Sequence, residues 1–155
     1  MMDMPQPTAG HKQLHKLAGN WVGEETMHPS PWDPAGHKAE GKTRSQVSID
    51  GFIVAGNYEQ SCGGAVTFRG HAVFWYDTET KRHMLHWWDS MGIAPNVFEG
   101  GFKGDVLTMT TSSPMGHHKL VYDLSKPNEL RTKMETSQDG KKWAPMMDGT
   151  YRREK

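Results

Sequence analysis

The chain carries a single cysteine, Cys62, so no disulfide can form within it. That scarcity fits a reducing compartment, and the cytoplasm is the expected location. Charge of one sign is not in excess either: 18 lysines and arginines balance 18 aspartates and glutamates. Without a basic field to gather phosphates, nucleic acid is not an expected partner. No apolar run approaches the roughly 18 residues that a membrane helix needs, so no membrane association is expected. The opening Met1-Met2-Asp3-Met4-Pro5 has neither a basic start nor an apolar stretch, and no signal peptide is expected. Around Cys62 no lysine, arginine or histidine stands within several residues, which reads as a turn thiol and not as an activated nucleophile. The alternation of strands with long helices that a parallel sheet requires is also missing.

In its place is a regular beat. From Asn20 to Arg153 short stretches of alternating residues are broken by Asp50-Gly51, Gly63-Gly64, Gly104-Asp105, Pro127-Asn128 and Asp139-Gly140. About ten strands are expected, beginning at Trp21 and continuing over 38–49, 52–60, 65–76, 82–89, 96–103, 106–112, 117–124, 129–137 and the run to Arg153. Residues 1–7 read as a flexible N-terminus and 8–155 as one domain. Thr8 caps a short helix with Leu14 and Leu17 on one edge, and Gly19 ends it. An antiparallel meander of this size hides its edges most simply by closing into an up-and-down barrel, so the fold class is all-β with a short N-terminal helix. A barrel of that size encloses room for a small molecule. On the second strand Ala39, Gly41, Thr43 and Ser45 share a face opposite Lys38, Glu40, Lys42 and Arg44, and their small size suggests space inside. Pro145 marks a bulge or an edge.

Strands four and five lack a clear phase. Val73 and Trp75 oppose Ala72, Phe74 and Tyr76, and His83–Asp89 is apolar or aromatic on both faces. Such strands need cover on both sides, from the N-terminal helix, from the Pro29–Gly36 loop, or from a second copy in a homodimer.

The Leu17–Gly23 stretch, with Gly19-Asn20-Trp21, resembles the opening of lipocalins, in which a helix leads into a strand whose tryptophan plugs the closed end. More of the chain resembles the bacterial domain-of-unknown-function family 1579. The resemblance is carried by Leu17–Glu25, His28–Gly36, Asp50–Gln60, Phe68–Asp77, His86–Gly92, Ser137–Trp143 and Tyr151–Arg153, in order along nearly the whole chain. It implies a lipocalin-like barrel and names no activity.

Several residues are candidates for chemistry. Glu25 follows Trp21 by four positions and so shares its face, pointing inward if the tryptophan does. Charged Lys119 and Asp123 place His118, Leu120 and Tyr122 inward, and Arg131, Lys133 and Glu135 place Leu130, Thr132 and Met134 inward. A buried Glu25 facing His118 could move protons in a dry pocket, and these two are the candidate catalytic pair for an isomerisation or cyclisation. The expected ligand-binding set is Trp21, Tyr58, His71, Trp75, His86, Trp88, Asp89, Tyr122 and Met134, with Trp87 as a further ring surface, and the guest is small and mainly apolar or aromatic. Nine histidines are many for this length, but His83/His86 and His117/His118 diverge within their strands. A metal would need His71, His86 and His118 from separate strands, so no metal is expected. Haem, bound through a C-terminal histidine in the related nitrobindin barrels, would here require His118 or His86 as a substitute, since no histidine follows His118. No cofactor is expected.

Overall fold

A computed structural model describes residues 2–93 and 95–154. Met1, the first residue of the expected flexible segment, and Lys155, the last of the expected domain, lie outside the described residues, as does Ala94. Ten strands follow a short helical lead: α1 (Ala9–Gln13), a 3-10 turn over Leu14–Leu17, then β1 (Gly19–Met27), β2 (His37–Ser48), β3 (Ile53–Cys62), β4 (Ala65–Asp77), β5 (Arg82–Asp89), β6 (Asn96–Lys103), β7 (Val106–Ser113), β8 (Gly116–Asp123), β9 (Glu129–Ser137) and β10 (Ala144–Arg153). Each strand pairs antiparallel with the next, and β10 returns to β1 to close the barrel. Closure leaves no sheet edge to protect. The closing seam runs from Trp21 opposite Arg153 to Met27 opposite Met147.

The turns follow local chemistry. After β2 the chain reverses over residues 49–52 through a 3-10 turn at Ile49–Gly51, with Ile49 and Asp50 both at positive φ, a longer connection than a two-residue hairpin at Asp50-Gly51. The register slips between Pro145 and Met147, a bulge at the proline, which has no N–H to give the ladder.

Apolar side chains concentrate at one end. Leu14, Val54, Leu85, Leu107 and Met109 have no exposure, and Trp21, Phe74, Phe98, Leu130 and Tyr151 complete the cluster. Trp21 plugs this end: its indole N–H donates to Leu17 O at 3.0 Å, and the Arg153 guanidinium lies 4.3 Å over the ring. Thr8 stands before α1, with His11 Nδ1 at 3.0 Å from its N–H and 2.9 Å from its hydroxyl. His83 Nε2 donates to Gly10 O at 2.9 Å, which docks α1 beneath the barrel. Burial holds both imidazoles below the usual histidine range.

The helix therefore closes the end and does not cover the outside of β4 and β5. That outer face stays partly open, with Trp88 41% exposed, and Trp32 of the proline loop is itself 89% exposed.

Candidate functional site

Glu25 is an acidic side chain with no solvent exposure at all. The pleat of β1 sends Trp21, Gly23 and Glu25 to the same inward face, and neighbouring strands supply the donors that make the burial tolerable. Tyr58 Oη donates to the carboxylate, 2.6 Å from Oε2 and 2.7 Å from Oε1. Gln60 Nε2 donates to Oε1 at 2.9 Å, and Tyr151 Oη donates to Oε2. Tyr58 and Gln60 are two apart on β3, and Tyr151 arrives from β10 across the closing seam.

Glycine makes the space. A Cβ at Gly41 would lie 2.3 Å from Glu25 Oε2, and one at Gly149 would lie 2.5 Å from the Tyr151 hydroxyl. The small inward face of β2 is thus partly filled from β1 and β10, where the sequence suggested open room. Burial, and then the Glu25 carboxylate, push the Tyr58 and Tyr151 phenols well above the usual tyrosine range; burial alone does so for Tyr122.

Beyond Glu25, toward the open end, the inward side chains become rings and thioethers. Tyr58, Phe68 and Trp87 have ring centroids 6.0 to 6.5 Å apart and make one aromatic wall. Gln60 Nε2 lies 3.6 Å from the Met27 sulfur and 3.9 Å from that of Met147. The Trp87 indole N–H donates to Asp89 Oδ2 at 2.8 Å. Gly70 sits behind the indole; a Cβ there would come within 2.1 Å of the ring. We expect Gly70→Ala to force Trp87 from its place at a cost of about 1–3 kcal/mol. The Trp87 indole N–H resonance should shift as its bond to Asp89 is lost, and an unmoved resonance would refute this.

The candidate residues divide between the two faces of the barrel. Glu25, Trp21, Tyr58, Asp89, Tyr122, Met134 and His118 occupy inward positions, Trp21 as the plug of the closed end. Phe74 and Leu85 are buried in the core, so the alternation of β4 and β5 sends His71, Trp75, His86 and Trp88 outward, away from the interior where the sequence reading had grouped them. There they form a chain of rings, with Trp75–His86 centroids 6.0 Å apart and His86–Trp88 and His71–Trp88 6.2 Å apart. The physical reason is that both faces of these strands are apolar, so no charge marks the outside.

His118 is not brought to Glu25. Along the ladder Glu25 pairs with Gly149, Gly149 with Thr132 and Thr132 with Tyr122; His118 is four residues, two repeats of the pleat, beyond Tyr122 toward the open end. With His71 and His86 outward and His118 inward, the three imidazoles that a metal reading needed do not share a face; of the two substitutes that a haem reading needed, His86 points outward and His118 inward. Among the described residues no group of three or more His, Cys, Asp or Glu side chains is arranged to hold a metal ion. Sequence reasoning missed Gln60, Tyr151, Phe68, Met27 and Met147. Gln60 was readable as the inward neighbour of Tyr58 two positions on; Tyr151 becomes a partner only through the pairing of β1 with β10.

A closed ten-stranded antiparallel barrel, plugged by a tryptophan at one end and lined at the other by rings, thioethers and a hydrogen-bonded carboxylate, defines a lipocalin-like protein. Within that class the chain belongs to the family described as "Protein of unknown function (DUF1579)", whose model matches residues 6–153. No curated protein matches the chain. Among solved structures it is similar to Rv2717c from M. tuberculosis, with a TM-score of 0.73 at 11% identity over 96% of this chain and 99% of that one. It is also similar to the S-type phycobiliprotein lyase CPES from Guillardia theta, with a TM-score of 0.63 at 13% identity and the same coverage. These likenesses are of fold.

Proposed function

We propose that the barrel is a container for one small, mainly apolar or aromatic molecule, held at its open end between the Tyr58–Phe68–Trp87 wall and the methionines. One observation carries this reading. At the plugged end the inward side chains are almost fully buried, Leu14, Val54, Leu85, Leu107 and Met109 completely so. Toward the open end Met27, Tyr58, Phe68, Trp87, Met134, Met147 and His118 also point inward yet are only half-buried. Inward side chains that meet solvent line a space, and rings and thioethers suit an apolar guest. The barrel shared with a phycobiliprotein lyase supports the reading at the level of fold.

The test is titration with Nile red, a neutral apolar dye, alongside native mass spectrometry of the protein from its own host. Saturable dye binding that weakens in Trp87→Leu is expected, with a reproducible added mass from the resident guest. Absence of both would leave a filled barrel and overturn the container.

A second reading, acid–base catalysis, is favoured by the direct bonds from Tyr58 and Tyr151 to Glu25. In it Glu25 is the base and a phenol, in place of His118, is its acid partner. Glu25→Gln separates the two: a binder keeps its affinity for a neutral guest within a few-fold, whereas an enzyme loses turnover by orders of magnitude.

The unpaired thiol of Cys62 is consistent with a cytoplasmic location, which we propose with it. We further propose that the outward ring chain on β4 and β5 joins two copies, since Trp88 is 41% exposed there and Val97, beside His86 on β6, 43%. Trp88→Lys should then shift sedimentation from dimer to monomer; a parent protein that sediments as a monomer at high concentration would refute the dimer.

A further inference from the structure

We propose that the guest is a cation: the open half of the barrel is built for an organic ammonium ion with an apolar body, its charge spread over methyl groups and seated against the Tyr58–Phe68–Trp87 wall. This rests on the container reading and specifies its contents. Above Trp21 the strand residues that point inward include two carboxylates, Glu25 and Asp89, and no lysine or arginine; the basic residues of these strands, Lys38, Lys42, Arg69, Lys119, Arg131 and Lys133 among them, alternate to the outside. A positive charge inside therefore meets two carboxylates with no lysine or arginine opposing it; the imidazoles on the inward face there are His118 and His37, the latter 2.7 Å from Asp33.

The rings add a directional component. Indole and phenol faces attract cations, indole most strongly. Both polar rings of the wall also give their protons to carboxylates: Tyr58 Oη to Glu25 at 2.6 Å, and Trp87 Nε1 to Asp89 Oδ2 at 2.8 Å. Donation to an anion returns electron density to the ring and makes its face more negative. The two carboxylates thus act on the guest through the rings as well as through space.

The same hydrogen bonds select the kind of cation. Both Glu25 oxygens are already engaged, by Tyr58, Gln60 and Tyr151. Asp89 is engaged by Trp87 and by the Met91 N–H at 3.0 Å. Three donors already share the Glu25 oxygens and each Asp89 oxygen accepts one, so a primary ammonium would find few free lone pairs for its three N–H donors and would lose hydration it cannot wholly recover. A methylated ammonium has no such donors, loses less hydration, and offers methyl groups to the rings and to the Met27 and Met147 thioethers.

The experiment compares benzyltrimethylammonium with its uncharged carbon isostere, neopentylbenzene, on the full chain. Binding is followed by the Trp87 indole resonance and by displacement of Nile red. We expect the cation to bind at least about tenfold more tightly than the hydrocarbon. Glu25→Gln and Asp89→Asn should each pull that ratio toward one while leaving the hydrocarbon's affinity within a few-fold. Equal binding of the two compounds, or binding of Nile red with neither of them, overturns the cation proposal and leaves the container standing. A cation preference unchanged in both variants overturns it too. Failure of all three probes removes the container itself.

Discussion

Replacing Glu25 by alanine is expected to cost about 3–5 kcal/mol, a fall in midpoint on the order of 10 °C for a domain of this size. Among the described residues no cation pairs with Glu25, so the mutation removes none. It removes the acceptor for three donors at once: the Tyr58 and Tyr151 hydroxyls and the Gln60 amide. Each buried donor left without an acceptor costs about 1–3 kcal/mol, and the half-exposed pair, Tyr58 and Gln60, recover part of that from water entering at the open end. Tyr151, at 5% exposure, has the least access to such relief. Glu25→Gln is the matched control: its carbonyl still accepts, its amide can donate to a rotated hydroxyl, and the loss should stay within about 1 kcal/mol. Thermal and urea unfolding of the pair measure the difference. An alanine variant as stable as its parent would mean that water already serves the phenols and that the cluster does not order the interior.

Burying an acid among neutral donors is a poor way to stabilise a core, and this chain places it directly beyond a fully apolar one. Leu85, Leu107 and Val54 could continue as an apolar column, yet at the next level up stand a carboxylate, two phenols and an amide, with Gly41 and Gly149 kept bare to admit them. Replacing buried polar groups by apolar ones of the same shape is often neutral or stabilising, so an arrangement of this cost is expected where a site needs it.

Much of this was legible in the sequence where one face of a strand carries charge. Lys119 and Asp123 fix the phase of β8, and Arg131, Lys133 and Glu135 fix that of β9, which places Tyr122 and Met134 inside. The four-residue step from Trp21 to Glu25 does the same for β1. The ten strands and their turns follow from alternation and punctuation alone. The phase of β4 and β5 was not legible, because Trp75 and Trp88 outside are as apolar as Phe74 and Leu85 inside. Nor was the partner of Glu25. Tyr151 is 126 residues away and reaches it only because β10 closes on β1 in one register. Local patterns carry no information on that register, which links Glu25 through Gly149 and Thr132 to Tyr122 and not to His118.

The three interior phenols should make the protein fail steeply in alkali. Tyr58, Tyr122 and Tyr151 titrate well above the ordinary tyrosine value of 10.0 when folded, because burial disfavours the phenolate and, for Tyr58 and Tyr151, Glu25 adds repulsion. In the unfolded chain they ionise near 10. Below that pH both states hold the protons and stability is fully present; above it the unfolded state loses three protons that the folded state keeps, and stability falls as pH rises. Each proton contributes about 1.4 kcal/mol per pH unit, so the three together give a slope approaching about 4 kcal/mol per unit above pH 10. Urea midpoints taken from pH 8 to 11.5 should therefore stay level and then drop sharply. Tyr122→Phe, which keeps the ring in the core and gives up no bond to Glu25, should reduce the slope by about a third. A gradual decline that is the same in Tyr122→Phe would mean that these phenols ionise as readily in the folded chain as in the unfolded one, and that burial does not hold their protons.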